Sequence, residues 1–275
     1  MGSRIGRAEQ IRIYVGKCWR LFVNEKQWKN LVSTLIIMGM IALVTSENTF
    51  LDYRQTKNTS FSIVCACIWV GLFNSIQSIC RERGIIKREH RSGLYISSYV
   101  LAHVIFEAML CAAEALIILL VVLVKNASHM PESGLVFPMA VDMYITIFLT
   151  VLASDMMAIL VSCIVKDPNS AMTVMPFVLI IQLVMSGVIF DLEGISDKIS
   201  NLTISKWGMN ALMSISFTTD AVYDDAWILT NGNIPAWQSA DDENLAKIWL
   251  ILILISIASV VCSMIALRFV DKDKR

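Results

Sequence analysis

Six stretches of this chain run for about twenty residues with almost no charged side chain, and this pattern constrains the fold more than any motif does. Roughly twenty helical residues cross the hydrocarbon core of a bilayer. There the backbone N–H and C=O groups find no water and must bond within their own segment. The spans read this way are 28–45, 61–80, 99–124, 136–165, 171–190 and 248–267. The expected fold class is all-α: a polytopic membrane protein with six transmembrane helices in a single transmembrane domain over 1–275. Only 17% of residues are charged, whereas soluble domains carry about a quarter. The net charge of zero hides strong segregation of charge along the chain.

That segregation sets the orientation. An even number of spans leaves both termini on one side, together with the 81–95 loop and the 166–170 turn. That side carries 17 Lys and Arg, while the opposite side carries six: Arg54, Lys57, Lys125, Lys198, Lys206 and Lys247. The positive-inside rule then places both termini in the cytoplasm. No cleavable signal peptide is visible in the basic N-terminal segment, so the first span is expected to stay as an anchor. None of the seven cysteines lies in a segment placed outside, so no disulfide framework is expected.

Residues 1–27 form a cytoplasmic segment. Within it Ile11, Val15, Cys18, Trp19 and Phe22 recur at helical spacing, with Arg12, Lys17 and Arg20 off that stripe. This predicts an amphipathic interfacial helix with its basic side chains among lipid headgroups. Residues 28–190 hold spans 1–5. Residues 191–247 form a long acidic external loop, in which 195–217 is apolar enough to re-enter the membrane as short helices. Residues 248–275 supply span 6 and a basic tail.

The run from Cys80 to Tyr95, CRERGIIKREHRSGLY, is followed by Ser97-Ser98-Tyr99 at the opening of the third span. Met185-Ser186-Gly187-Val188-Ile189-Phe190 closes the fifth span, and Ile204-Ser205-Lys206-Trp207-Gly208-Met209-Asn210 follows it. These motifs, in this order, resemble the membrane (permease) domain of a type-2 ABC exporter, especially the white/drug-resistance G subfamily. The resemblance covers nearly the whole chain.

The resemblance implies a permease that exports an amphipathic or hydrophobic substrate (lipid, peptide or drug) by alternating access, in a dimer with a second copy or a homologous membrane subunit. No Gly-x-x-x-x-Gly-Lys-Ser/Thr phosphate cradle occurs in these 275 residues. This chain is thus expected to carry no catalytic residue, metal or cofactor, with ATP and Mg on a partner ABC ATPase subunit or domain. Membrane lipids are the other expected partners, with no nucleic acid. The implied coupling residues are Glu82, Arg83, Lys87, Arg88 and Glu89. The implied substrate cavity takes Cys67, Val70 and Asn74 from the second span and Ile180 and Leu183 from the fifth. Val188 and Ile189 match the apolar gate. The implied location is the bacterial plasma membrane.

A different reading rests on intramembrane acids. His103, Glu107, Cys111 and Glu114 share one stripe of the third span, and Asp142 and Asp155 lie in the fourth. A charge at mid-membrane costs about 2.5–3.5 kcal/mol on insertion scales, so it has a purpose. Glu107, Glu114 and Asp155 fit a secondary transporter or proton-coupled channel, or else buried hydrogen bonds between helices.

The charge count makes the topology testable. In a cysteine-free background, Asp197→Cys should react with a membrane-impermeant thiol reagent added to intact cells, and Ser92→Cys should not. Labelling at position 92 would refute the orientation.

Overall fold

The computed structural model describes residues 6–45, 49–127, 134–190, 192–230, 232, 234 and 236–268. Arg4 and the tail residues Lys272, Lys274 and Arg275, counted in the charge argument, and Asp191 of the acidic loop lie outside the described residues. Eleven α-helices appear among the described residues. They are α1 (Arg7–Asn24), α2 (Lys29–Val44), α3 (Tyr53–Ser75), α4 (Ser78–Arg91), α5 (Ile96–Lys125), α6 (Met139–Ile164), α7 (Pro168–Val184), α8 (Ile195–Ser200), α9 (Ile204–Ser216), α10 (Asp220–Leu229) and α11 (Asp242–Arg268). A short 3-10 turn, Ala236–Gln238, precedes α11.

Four helical units are long and apolar enough to cross a bilayer: Tyr53–Arg91, Ile96–Lys125, Met139–Ile164 and Asp242–Arg268. A fifth arises only if α1 and α2, bent by 66° at their junction, count together. At 17 residues α7 is apolar but shorter, about 25 Å against a hydrocarbon core of about 30 Å. The exposed faces of these helices are oily, as in Leu35, Ile36, Met40, Leu43 and Val44 on α2, and Phe177, Ile180 and Ile181 on α7. Surfaces of that kind are stable only against lipid or another protein.

Helix α6 is the hub, packed against α3, α5, α9 and α11. The partners reach it through small residues. Gly71 of α3 sits so near α6 that a Cβ there would meet Val151 O at 2.5 Å and Ser154 Cβ at 2.8 Å. On α11 the inward stripe is Leu245, Ile248, Leu252, Ser256, Ser259, Ser263 and Leu267, repeating every three or four residues. Without a hydrophobic driving force inside lipid, such close approach is what lets dispersion contacts hold the helices together.

Several boundaries differ from the sequence reading. The second span was expected over 61–80, but α3 starts at Tyr53. Asp52 caps it by accepting from Arg54 N–H at 2.9 Å, and Asp225 of α10 accepts from Tyr53 N–H at 2.8 Å. At the other end residues 76–80 belong to a two-residue junction and the start of α4, and the whole reads as one 39-residue helical unit. The fifth span was expected to run to 190. It stops at Val184, where Gly187 adopts φ 74°, a conformation suited to glycine, and turns the chain.

The 195–217 segment folds as α8 and α9, and every residue of α9 except the half-buried Lys206 is buried, with α9 packed against α3, α6 and α11. On α1, Ile11, Val15, Cys18 and Phe22 face inward against α5. Trp19 does not: it is 55% exposed and stacks on Phe22. All seven cysteines are free thiols.

The close approach at Gly71 predicts a large effect from a small change. Gly71→Val should force α3 from α6 and cost about 1–3 kcal/mol, seen as a lower melting temperature of purified protein. Gly39→Ala, with no atom within 4 Å of the added Cβ, should melt at or slightly above the parental temperature. Equal melting of all three proteins would refute the packing argument.

Candidate functional site: the α4 helix and its buttress

Helix α4 continues α3 past the apolar section, and its 14 residues extend about 21 Å. Two exchanges anchor its root to the end of α6. Ser162 Oγ accepts from the N–H groups of Ile79 and Cys80, at 3.1 and 3.0 Å. In return Arg83 Nη1 donates to the carbonyls of Cys163 and Val165, both at 2.8 Å. Each helix end thus has its orphan backbone groups satisfied by a side chain from the other.

A second brace comes from α1. Lys17 Nζ donates to Glu82 Oε2 at 2.8 Å, and Tyr99 Oη of α5 donates to the same oxygen at 2.8 Å. Tyr14 Oη donates to Glu89 Oε2 at 2.6 Å. Burial, then that bond and the charges of Glu89 and Glu82, push the Tyr14 phenol above its ordinary range. Gln10 closes the far end, accepting from Tyr95 N–H at 3.0 Å and donating to Gly93 O at 3.3 Å. Arg7 lies over the Tyr95 ring at 4.8 Å. Charge-assisted bonds of this kind contribute about 1.5–3 kcal/mol each when sheltered from water.

The expected coupling residues therefore point in different directions. Glu82, Arg83 and Glu89 are engaged inside the protein, and Lys87 is half-buried. Arg88 faces out, and with Arg81, Ile85 and Arg91 it forms an exposed stripe at three- and four-residue spacing. The sequence reading, which also counted Arg91 among the docking charges, missed Arg81 and Ile85, and it missed the buttress of Tyr14, Lys17 and Tyr99. A helical wheel drawn on 78–91 rather than on a loop would have exposed the stripe. The α1 part of the buttress, with contacts across 65 and 75 residues, left no local signal.

The expected cavity residues do not converge within one chain. Cys67 lies in the core, and Val70 and Asn74 border a cavity of about 260 Å³ between α2 and α3. Ile180 is exposed on α7, with Leu183 half-buried beside it. Of the two expected gate residues, Val188 packs inward against the cluster of Tyr53, Met213, Phe217 and Val222, whereas Ile189 is 53% exposed.

The acids separate by environment. Asp142 is spent on structure, accepting from the N–H groups of Leu135, Val136 and Phe137 at 2.8–3.1 Å. Glu114 accepts from Asn74 at 2.7 Å and Thr34 at 3.5 Å, with Asn30 donating on to Asn74 at 3.3 Å. Glu107 Oε2, both carboxylate oxygens of Asp155 and the neighbouring Ser75 Oγ are buried and find no hydrogen-bond partner. Among the described residues no three His, Cys, Asp or Glu side chains gather as a metal site.

Two comparisons bear on this arrangement. Residues 9–217 match the sequence profile described as "ABC-2 type transporter". The chain is also similar to an ABC transporter ATP-binding/permease protein of Mycobacterium tuberculosis, 25% identical over 146 residues. That alignment covers 52% of this chain and 17% of the relative's length.

The buttress gives a double-mutant test. Lys17→Met and Glu82→Gln should each lower the melting temperature, and the double variant should melt no lower than the worse single, a coupling of about 1–2 kcal/mol. Strict additivity would show that the pair does not act as a unit.

Proposed function

Because this chain belongs to the ABC-2 type transporter family, we propose that it is the membrane subunit of an ATP-driven exporter and receives its power stroke on the outward stripe of α4. The carrying observation is that α4 is a braced helix prolonging a membrane-crossing one, with Arg81, Arg88 and Arg91 set around the exposed Ile85. An apolar anchor ringed by guanidinium groups suits insertion into an acidic-rimmed cleft on a partner. In this reading Glu82, Arg83 and Glu89 act from inside, keeping α4 stiff, while Arg88 and Ile85 make the contact. ATP and Mg belong to that partner ATPase.

The finer reading follows from the same elements. We assign six crossings to α2, α3, α5, α6, α7 and α11, with α1 lying along the cytoplasmic interface and both termini in the cytoplasm of a bacterial cell. By the same motifs we read the chain as a member of the white/drug-resistance branch. Two copies, or this chain and a related one, enclose the path, and the pair alternates between inward- and outward-open states. Its walls draw on the α3 and α7 faces, including Asn74, Ile180 and Leu183. The oily exposed surfaces suit an amphipathic or hydrophobic cargo. Ile189, with Val188 behind it, forms the apolar plug, which excludes water by dewetting.

Ile85→Asp and Arg88→Glu should leave the melting temperature of the chain unchanged, since both side chains are exposed. In proteoliposomes with the partner ATPase each should weaken assembly by about 2 kcal/mol, roughly thirtyfold, and lower transport per ATP hydrolysed. Parental assembly and turnover in both variants would refute the docking role.

A further inference from the structure

At the α4 end of the bundle a cavity of about 260 Å³ opens between α1, the α3–α4 junction and α5. Its lining holds three carboxylates, Glu25, Glu82 and Glu107, with one guanidinium, Arg81, and one imidazole, His103. Glu82 is already answered by Lys17 and Tyr99, while the exposed Arg81 keeps its charge and donates to the neutral Gln77 Oε1 at 2.9 Å. Glu25 stands at the solvent-exposed rim. Glu107 is different. It is 6% exposed, forms no ion pair, and its Oε2 has no partner. Immediately behind it Asp155, fully buried, leaves both carboxylate oxygens unpartnered as well.

The deep wall of this cavity is therefore an acidic surface without a counter-charge. A buried carboxylate left without a partner is costly, and a cation beside it relieves that cost. The remaining walls decide which kind of cation. Gln27, Asn30, Asn74, Gln77 and Ser78 give polar wall, while Phe73 and Phe106 present aromatic surface and Leu21 aliphatic surface, a mixture that suits an organic ammonium through hydrogen bonding, apolar burial and cation–π attraction. The volume lies below the roughly 300–1,000 Å³ of pockets for drug-sized molecules, so the ligand is small.

We propose that this cavity is a binding site for a small amphipathic amine, its ammonium against Glu107 and its apolar body along Phe73 and Phe106. The site lies within one chain and does not depend on the ATPase reading, although Asn74 borders both it and the proposed path. It opens at the end of the bundle where an amine partitioned into the cytoplasmic leaflet would arrive.

The test is calorimetric titration of the full chain in lipid nanodiscs, without nucleotide, using 2-phenylethylamine and, as its uncharged counterpart, 2-phenylethanol. The amine should bind saturably and the alcohol at least about tenfold more weakly. Glu107→Gln should weaken the amine on the order of thirtyfold or more. Leu21→Trp, which fills the cavity and keeps the carboxylate, should abolish binding; Glu243→Gln, at an exposed distant acid, should change nothing. Melting temperatures identify a variant that has lost its fold, and if Glu107→Gln unfolds, Leu21→Trp and the alcohol comparison decide. No saturable binding by the parental chain, equal binding of amine and alcohol, or full binding by a folded Glu107→Gln or Leu21→Trp would each overturn the proposal.

Discussion

Where α6 ends and α4 begins, one hydroxyl and one guanidinium satisfy four backbone groups: Ser162 takes two amides of α4, and Arg83 takes two carbonyls of α6. A helix that ends inside an apolar bundle exposes backbone polar groups, each costing several kcal/mol if left bare. Several other breaks in this fold are met by the same device. Gln182 of α7 accepts from the N–H groups of Ile204 and Ser205 and so seats α9 in the core. Asp142 gathers the three amides that lead into α6. Asp167 caps α7 through the Ser170 amide and hydroxyl, which hold its carboxyl below the usual carboxylate range. Short helices can therefore sit against long ones without leaving gaps in the hydrogen bonding.

Hydropathy made the long helices legible because lipid imposes a length and a polarity that few other folds need. It located α5, α6 and α11 within a few residues at most boundaries. It failed where an end is set by a partner. The start of α3 depends on Asp225, more than 170 residues away, and the end of α7 on one glycine conformation. The family resemblance pointed to 81–95 as the site of interest but could not orient its side chains. Glu82 and Arg83 are adjacent charges on a polar stretch, and nothing local says that both turn inward while Arg81 and Arg88 turn out. That choice is made by Lys17, Tyr99 and the end of α6. Likewise Val188 and Ile189 look alike in sequence, and the cluster around Phe217 separates them.

The buried acids show how position, not residue type, decides what a carboxylate does. Asp142 stands at a helix start, where amides are plentiful, and is absorbed into the backbone. Glu114 faces amide and hydroxyl side chains from α2 and α3 and becomes the centre of a polar contact between helices. Glu107 and Asp155 face each other's helices with only Ser75 nearby, and the fold leaves them unanswered. Insertion scales assign similar costs to all four, so sequence alone could flag the group but not sort it.

The nearly continuous helical run from Tyr53 to Arg91 has a mechanical meaning. It measures about 58 Å, nearly twice the hydrocarbon thickness, and its two ends are tied to different neighbours: the far end to Asp225 of α10, the near end to the α6 terminus. With a fulcrum at the snug Gly71 contact, the unit is a two-armed lever whose arms are about 27 and 30 Å. A tilt of about 5° then carries each tip by about 2–3 Å in opposite senses, enough to break and remake a hydrogen bond at the far end. In the proposed reading a push on α4 reaches the far end through one helical unit, interrupted only at residues 76–77.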